Sequence, residues 1–272
     1  MLQLKLESLF IYPVKSLGGV EVSELEFDRW GPKFDRRFML TDTTGKFMTQ
    51  KKCPALASIK VKLTNNNLAF EHNKHRFILN LDGDDYKTCQ ATIWSFSGPM
   101  QDYGDKIADF LSTILKQSCR LVGITSEHQR LSNGAQQYPI GLCDSRQVLI
   151  TSLESLNWLN QQLVFHNENA VTMDRFRPNI VVSGGNNTFY ENSWQQLTIG
   201  DLTFVREKSC ERCIMITIDQ RDGVRKSIAP LNILAKHNRG DQGKAPAFGT
   251  YFSVLNTGSL SKSSPITFSR QK

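Results

Sequence analysis

The first hundred residues leave little room for helix. "LQLKLESLFIYPV" alternates apolar and polar residues, and "GVEVSELEFD" alternates again after Gly18-Gly19. A period of two places one face of a strand on a core. "RRFMLTD" runs into the turn signal "TTGK", and "ASIKVKL" and "LAFEH" flank "TNNN", which predicts a hairpin. "RFILNL" and "ATIWSF" continue the pattern as further strands. Strands this short, with turn signals this close together, predict a sheet that folds over or closes into a barrel.

Residues 105–117 break the habit. Ile107, Ala108, Phe110, Leu111, Ile114 and Leu115 fall at helical spacing, so this segment is an amphipathic helix. "CRLVGI" then reads as a strand. The next stretch, "TSEHQRLSNGAQQYPIGLCDSRQ", has no clear period. Loops of that length in compact domains are uncommon and often shape a site. A domain boundary is expected at its start, with an N-terminal β domain over 1–123 and a second domain over 124–272. In the second half "VLITS" reads as a buried strand. Ser152 is the expected N-cap of a helix carrying Leu156, Leu159 and Leu163. "RPNIVVSGG" reads as a strand, "LTIGDLTFVREK" as two strands across a Gly-Asp turn, and "IMITID" as another strand. Pro230 starts a short helix, and "FGTYFSVL" and "ITFS" finish as strands. The class is mainly β with a few helices (α+β).

Composition narrows the function. The 272 residues suffice for one large or two ordinary cores. No apolar run is long enough to cross a bilayer, and the alternating N-terminus does not read as a signal peptide, so a cytoplasmic protein without membrane attachment is expected. The formal net charge of +7 suits an anionic ligand. The basic residues form no single run and no aromatic-interleaved motif, so stable nucleic-acid binding is not expected. Walker, G-x-G-x-x-G, G-x-S-x-G and plant-type iron–sulfur patterns are absent.

The six cysteines are too scattered for a disulfide framework. Cys210 and Cys213 form one C-x-x-C pair in "CERCIMITID". A structural zinc site needs four ligands, often in two such pairs, and no second pair or spaced histidine pair is present. Thioredoxin-type chemistry places the first cysteine at a helix N-terminus, whereas the residues that follow here are strand-like. Two buried thiols, one reactive thiolate and one soft metal ligand stay open, with Arg212 favouring thiolate at Cys213.

Other residues suit an anion. Lys15 and Ser16 in "YPVKS" end a strand and could hold an oxyanion. "DRRF" (35–38) and "DRFRPN" (174–179) each set arginines at the start of an apolar strand, where they pair with their own aspartates or grip a carboxylate or phosphate. Asp144-Ser145, just before "VLITS", is also consistent with simple turn chemistry.

Taken in order, "IYPVKSLGG", "DRRFML", "DRFRPNIVVSG", "SWQQLTIGDLTFV", "CERCIMITID" and "FGTYF" resemble the MOSC family, named for the molybdenum cofactor sulfurase C-terminal domain. The nearest branch is that of YcbX-like bacterial proteins and mitochondrial amidoxime-reducing components. The resemblance runs from about residue 4 to about residue 256. It implies an N-terminal MOSC-associated β domain followed by a β-barrel-like MOSC domain. It also implies a molybdenum–molybdopterin cofactor with Cys213 as its one protein ligand and catalytic centre, and Cys210 not a ligand. Lys15, Ser16, Arg37, Asp144, Ser145, Arg177, Asn179, Arg212 and Tyr251 match cofactor-binding positions. Glu211 departs from the serine usual between the two cysteines.

The activity implied is reduction of small N-hydroxylated compounds: hydroxylamines, amidoximes or N-hydroxylated base analogues. Many bacterial relatives carry a C-terminal two-iron ferredoxin domain. None follows "ITFSRQK", so this chain is expected to hold no iron–sulfur cluster and to take electrons from a separate ferredoxin- or flavoprotein-type donor. A sulfur carrier using a Cys213 persulfide, or a cofactor-storage protein without turnover, are the alternatives.

Overall fold

The computed structural model describes residues 4–270 except 65, 84 and 85. The fold is mostly β, 41% strand with three helices, and its large sheet curls into a half-barrel. In spatial order that sheet runs Ile266–Arg270, Trp194–Ile199, Leu202–Glu211, Ala247–Val254, Val148–Ser152, Ile180–Ser183, Lys5–Ile11 and Val20–Val22. Its inner face buries one continuous core that includes Leu9, Ile150, Val182, Trp194, Phe204 and Phe252. Burying each such side chain favours folding by about 1.5–3 kcal/mol.

One pair in this sheet is parallel. Val148–Ser152 runs alongside Ile180–Ser183, and helix α2 (Leu153–Phe165) lies in the connection between them. Ser152 caps α2 as expected, its Oγ accepting from the Ser155 amide at 3.2 Å. Leu156, Leu159 and Leu163 face a separate cluster with Ile233 and Leu234 of helix α3 (Ala229–His237).

The alternating N-terminal segments form smaller sheets. One holds Phe38–Thr41, Arg120–Ile124, Phe96–Asp102 and Lys87–Ile93, and another Lys60–Thr64, Asn67–His72 and His75–Asn80. The latter contains the expected "TNNN" hairpin, although Asn65 in its turn lies outside the described residues. Helix α1 spans Asp105–Leu115 and buries Ile107, Leu111 and Leu115 against the core of these sheets. "GVEVSELEFD" divides at Ser23: Val20–Val22 pairs with Lys5–Ile11, while Glu24–Asp28 pairs with Gly258–Ser261 near the C-terminus. The first strands of the chain are thus sheet partners of its second half.

Two strand readings need correction. "ATIWSF" is not one strand but a hairpin turn. Ile93 pairs with Phe96, and Trp94 sits at φ 53° between them. "IMITID" is not a strand either. Pairing stops at Glu211, opposite Ala247, and the Arg212 amide donates to the Pro246 carbonyl. Residues Ile214–Thr217 then wind into one 3₁₀ turn whose buried Ile216 packs into the cluster with α2 and α3. Branched residues favour strands locally, but burial beneath the helices decides here.

Candidate functional site

A single turn places the first cationic residues. The Lys15 amide donates to the Phe38 carbonyl at 2.8 Å, and Val14 bridges Phe38, so "YPVKS" and "DRRF" lie side by side. Ser16 sits in the left-handed region at φ 69°, which ends the strand direction after Lys15. Lys15 is buried, and its Nζ pairs with Asp144 from the long loop. Burial pulls the Lys15 ammonium below its ordinary range, against the attraction of Asp144. Burial would raise the Asp144 carboxyl, yet Lys15 and a hydrogen bond from Trp94 hold it below the usual range.

A cleft of about 400 Å³ opens beside this pair. It is lined by Lys15, Ser16, Asp144 and Ser145 from the turn and loop, by Arg177 and Asn179, and by Arg212, Cys213 and Tyr251. Nine of the ten expected site residues therefore converge, although they come from five distant stretches of chain. The exception is Arg37. Arg36, at φ 46°, turns the chain just before the strand, so the two neighbours point apart. Arg36 lines the cleft. Arg37 is buried on the other side, where it pairs with Asp28 at 2.6 Å and stacks over Trp30. Nothing in the spacing of "DRRF" distinguishes the two.

Eight basic side chains line the cleft against two carboxylates, Asp144 and Glu211. Arg36 and Arg177 sandwich the buried Tyr12 ring, each guanidinium carbon 4.3 Å from its centroid. Their roles differ. Arg36 grips Asp35 through two contacts of 2.7–2.8 Å. Desolvation works against its charge, but Asp35 more than offsets this and raises it above the ordinary guanidinium range. Arg177 donates to the Leu17 carbonyl at 2.7 Å and forms no ion pair among the described residues. Its Nη2 is buried without a partner. Burial, and then the Arg36 charge, lower Arg177 to about 10. An under-satisfied buried guanidinium in a cationic cleft is suited to a phosphate or carboxylate.

Asn179 braces rather than offers. Its amide nitrogen donates to Asp35 at 3.0 Å and to the Phe10 carbonyl at 3.2 Å, while its oxygen accepts from Arg36 and the Leu149 amide. Arg212 is held by backbone carbonyls alone, from Phe176 at 2.9 Å and Phe248 at 2.6 and 2.9 Å. Among the described residues it forms no ion pair, and its charge acts on the buried Cys210 thiol.

The two cysteines of the pair are not equivalent. Cys210 is 1% exposed, and burial pushes its thiol up, so it stays protonated. The Tyr251 hydroxyl hydrogen-bonds its sulfur, and burial raises that phenol as well. Cys143, a lining residue that the motifs did not single out, is likewise buried and raised. Cys213 alone among the cleft thiols is exposed, one residue before the 3₁₀ turn. The turn has four residues, too few for a helix dipole of consequence.

Residues 3–118 match the family model of the MOSC N-terminal beta barrel domain, and residues 137–267 match that of the MOSC domain. This chain belongs to the MOSC family. Among its relatives, mitochondrial amidoxime-reducing component 1 of Mus musculus is 30% identical over 95% of this MOSC chain and 80% of its own length. Mitochondrial amidoxime reducing component 2 of Rattus norvegicus is 32% identical over 95% and 81%. Molybdenum cofactor sulfurase 3 of Aedes aegypti is 31% identical over 93% of this chain but only 34% of its own. The MOSC chain thus spans about a third of that sulfurase. Its function is associated with the molybdenum cofactor.

Proposed function

We propose that this chain holds a molybdenum–molybdopterin cofactor through Cys213 and reduces small N-hydroxylated compounds, with electrons from a separate ferredoxin- or flavoprotein-type donor. One observation carries the reading: the exposed Cys213 thiol shares a cationic cleft with the unpartnered Nη2 of Arg177. A thiolate suits a soft metal centre, and the guanidinium suits the anionic tail of the pterin. The names of the relatives, amidoxime-reducing components and cofactor sulfurases, support the same cofactor.

In this reading Arg177, Arg36 and Lys15 hold the phosphate end, and Cys213 holds the metal. When bound, the group supplies two-electron chemistry, in which an N–OH compound takes up two electrons and two protons to give the N–H product and water. The remaining work belongs to the chain. Arg212, fixed by the Phe176 and Phe248 carbonyls, adds a guanidinium to the lining of the cleft that holds Cys213. Burial pushes the Cys210 thiol up against the opposing pull of Arg212 and of the Tyr251 hydrogen bond, leaving Cys213 as the exposed sulfur free to ligate. The Asp144–Lys15 pair ties the long loop to the turn that carries Ser16. Among the described residues no helix is long and apolar enough to cross a membrane.

The test is to make the protein in a host with intact cofactor synthesis and assay benzamidoxime reduction with a reduced viologen. Turnover in step with bound molybdenum is expected, and protein free of both molybdenum and pterin would defeat the reading. The exposed thiol and the likeness to sulfurases also favour a second reading, a persulfide carried on Cys213. A mass gain of one sulfur that disappears in Cys213→Ala would select it.

A further inference from the structure

Trp94 is an exposed tryptophan at the tip of a hairpin, a position where turn residues are normal. It is 57% exposed, yet it is held firmly. The Phe47 amide donates to the Thr92 carbonyl at 3.0 Å and the Thr92 amide to the Gly45 carbonyl at 2.8 Å, which docks the hairpin on the neighbouring turn. The indole then packs against the Phe47 ring at 4.9 Å, tilted by 54°. Its Nε1 donates to Asp144 at 3.2 Å. A bulky residue at φ 53° is strained, and a large exposed apolar ring gains nothing from burial. The two tethers fix its orientation and leave most of the ring surface open. Trp94 lines the same cleft as Cys213.

We propose that Trp94 is a specificity-determining residue whose free indole face stacks planar, conjugated substrates at the cleft mouth. This rests on the reading above and narrows it: aryl amidoximes and ring-borne N–OH groups are preferred over aliphatic hydroxylamines. Stacking on an aromatic side chain is sequence- and substituent-tolerant because every conjugated ring offers a π-face. Asp144 Oδ1 orients the indole and also accepts from Lys15 Nζ.

The experiment has a binding arm and a kinetic arm. Trp194 is fully buried, and Trp30 and Trp158 are half-buried, so Trp94 dominates the red edge of tryptophan emission. Titrating the purified protein with benzamidoxime should quench that edge saturably, and cyclohexylhydroxylamine should not. With turnover protein, Trp94→Leu should raise KM for benzamidoxime roughly five-fold or more. Its kcat should stay within about two-fold, and KM for cyclohexylhydroxylamine should stay unchanged. Trp94→Phe, which keeps a ring but loses the N–H donor, should keep most of the preference. Equal KM increases for both compounds in Trp94→Leu, or no saturable quenching, would overturn the proposal. Quenching needs no metal. Saturable quenching in molybdenum-loaded protein that shows no turnover would sustain the platform while defeating the reductase reading, and turnover without the planar preference would do the reverse.

Discussion

Replacing Arg177 by methionine should separate binding from stability. Methionine keeps much of the stem volume and adapts to irregular surroundings. The guanidinium it removes is packed on Tyr12 and lowered to about 10 from 12.5, first by burial and then by Arg36. At 1.36 kcal/mol per pH unit, discounted for residual exposure, holding that charge inside costs about 2–3 kcal/mol. Against this stand the bond to the Leu17 carbonyl and the stacking on Tyr12, together worth roughly 2–3 kcal/mol. The terms nearly cancel. Cofactor-free Arg177→Met should therefore melt within about 4 °C of wild type. Truncating one member of a buried ion pair would instead cost about 3–5 kcal/mol. Binding responds differently. Losing a charge-assisted bond to phosphate costs about 1.5–3 kcal/mol, so pterin retention should weaken roughly ten- to hundred-fold. Calorimetric melting of the cofactor-free protein and fluorescent pterin release from the loaded protein give the two numbers. A melting loss beyond about 8 °C, or undiminished pterin retention, would refute the argument and make Arg177 a structural ion.

Ser152 both caps α2 and donates to the buried Glu191 carboxyl at 2.9 Å. Ser152→Ala should cost about 2–3 kcal/mol in urea unfolding, and a loss under 0.5 kcal/mol would contradict that double role. His128 is buried, with both ring nitrogens unpartnered, and is lowered from 6.5 to about 4 chiefly by burial. Between those values the unfolded chain binds a proton that the folded chain refuses. Stability present above pH 6.5 should thus fall by about 3 kcal/mol as the pH drops to 4 and below. His128→Leu should flatten that slope in a pH series of melting curves, and an unchanged slope would place the titration elsewhere.

Local pattern carried the class and most element positions, because alternation and helical spacing report directly on which face is buried. It failed at Trp94 and at residues 214–217, where branched or aromatic residues look strand-like but tertiary packing sets the backbone. It could not show that Lys5–Ile11 and Ile180–Ser183 pair, since register between segments so far apart leaves no trace in either. The site was legible as motifs, yet the sign of each contribution was not. Arg36 and Arg37 differ only in which side of a turned backbone they leave. Tyr12, between two guanidiniums, carried no signal beyond its place in "YPVKS". Cys210 and Cys213 are symmetrical in sequence, and burial breaks that symmetry.

The central claim is that Cys213, and not Cys210, is the metal thiolate. Molybdenum per chain, measured by plasma mass spectrometry on protein from a host with intact cofactor synthesis, tests it most directly. Wild type and Cys210→Ala should carry molybdenum, with Cys210→Ala somewhat less stable because Tyr251 loses its sulfur partner. Cys213→Ala should carry almost none. Equal metal content in all three proteins, or equal loss in both variants, would contradict the account.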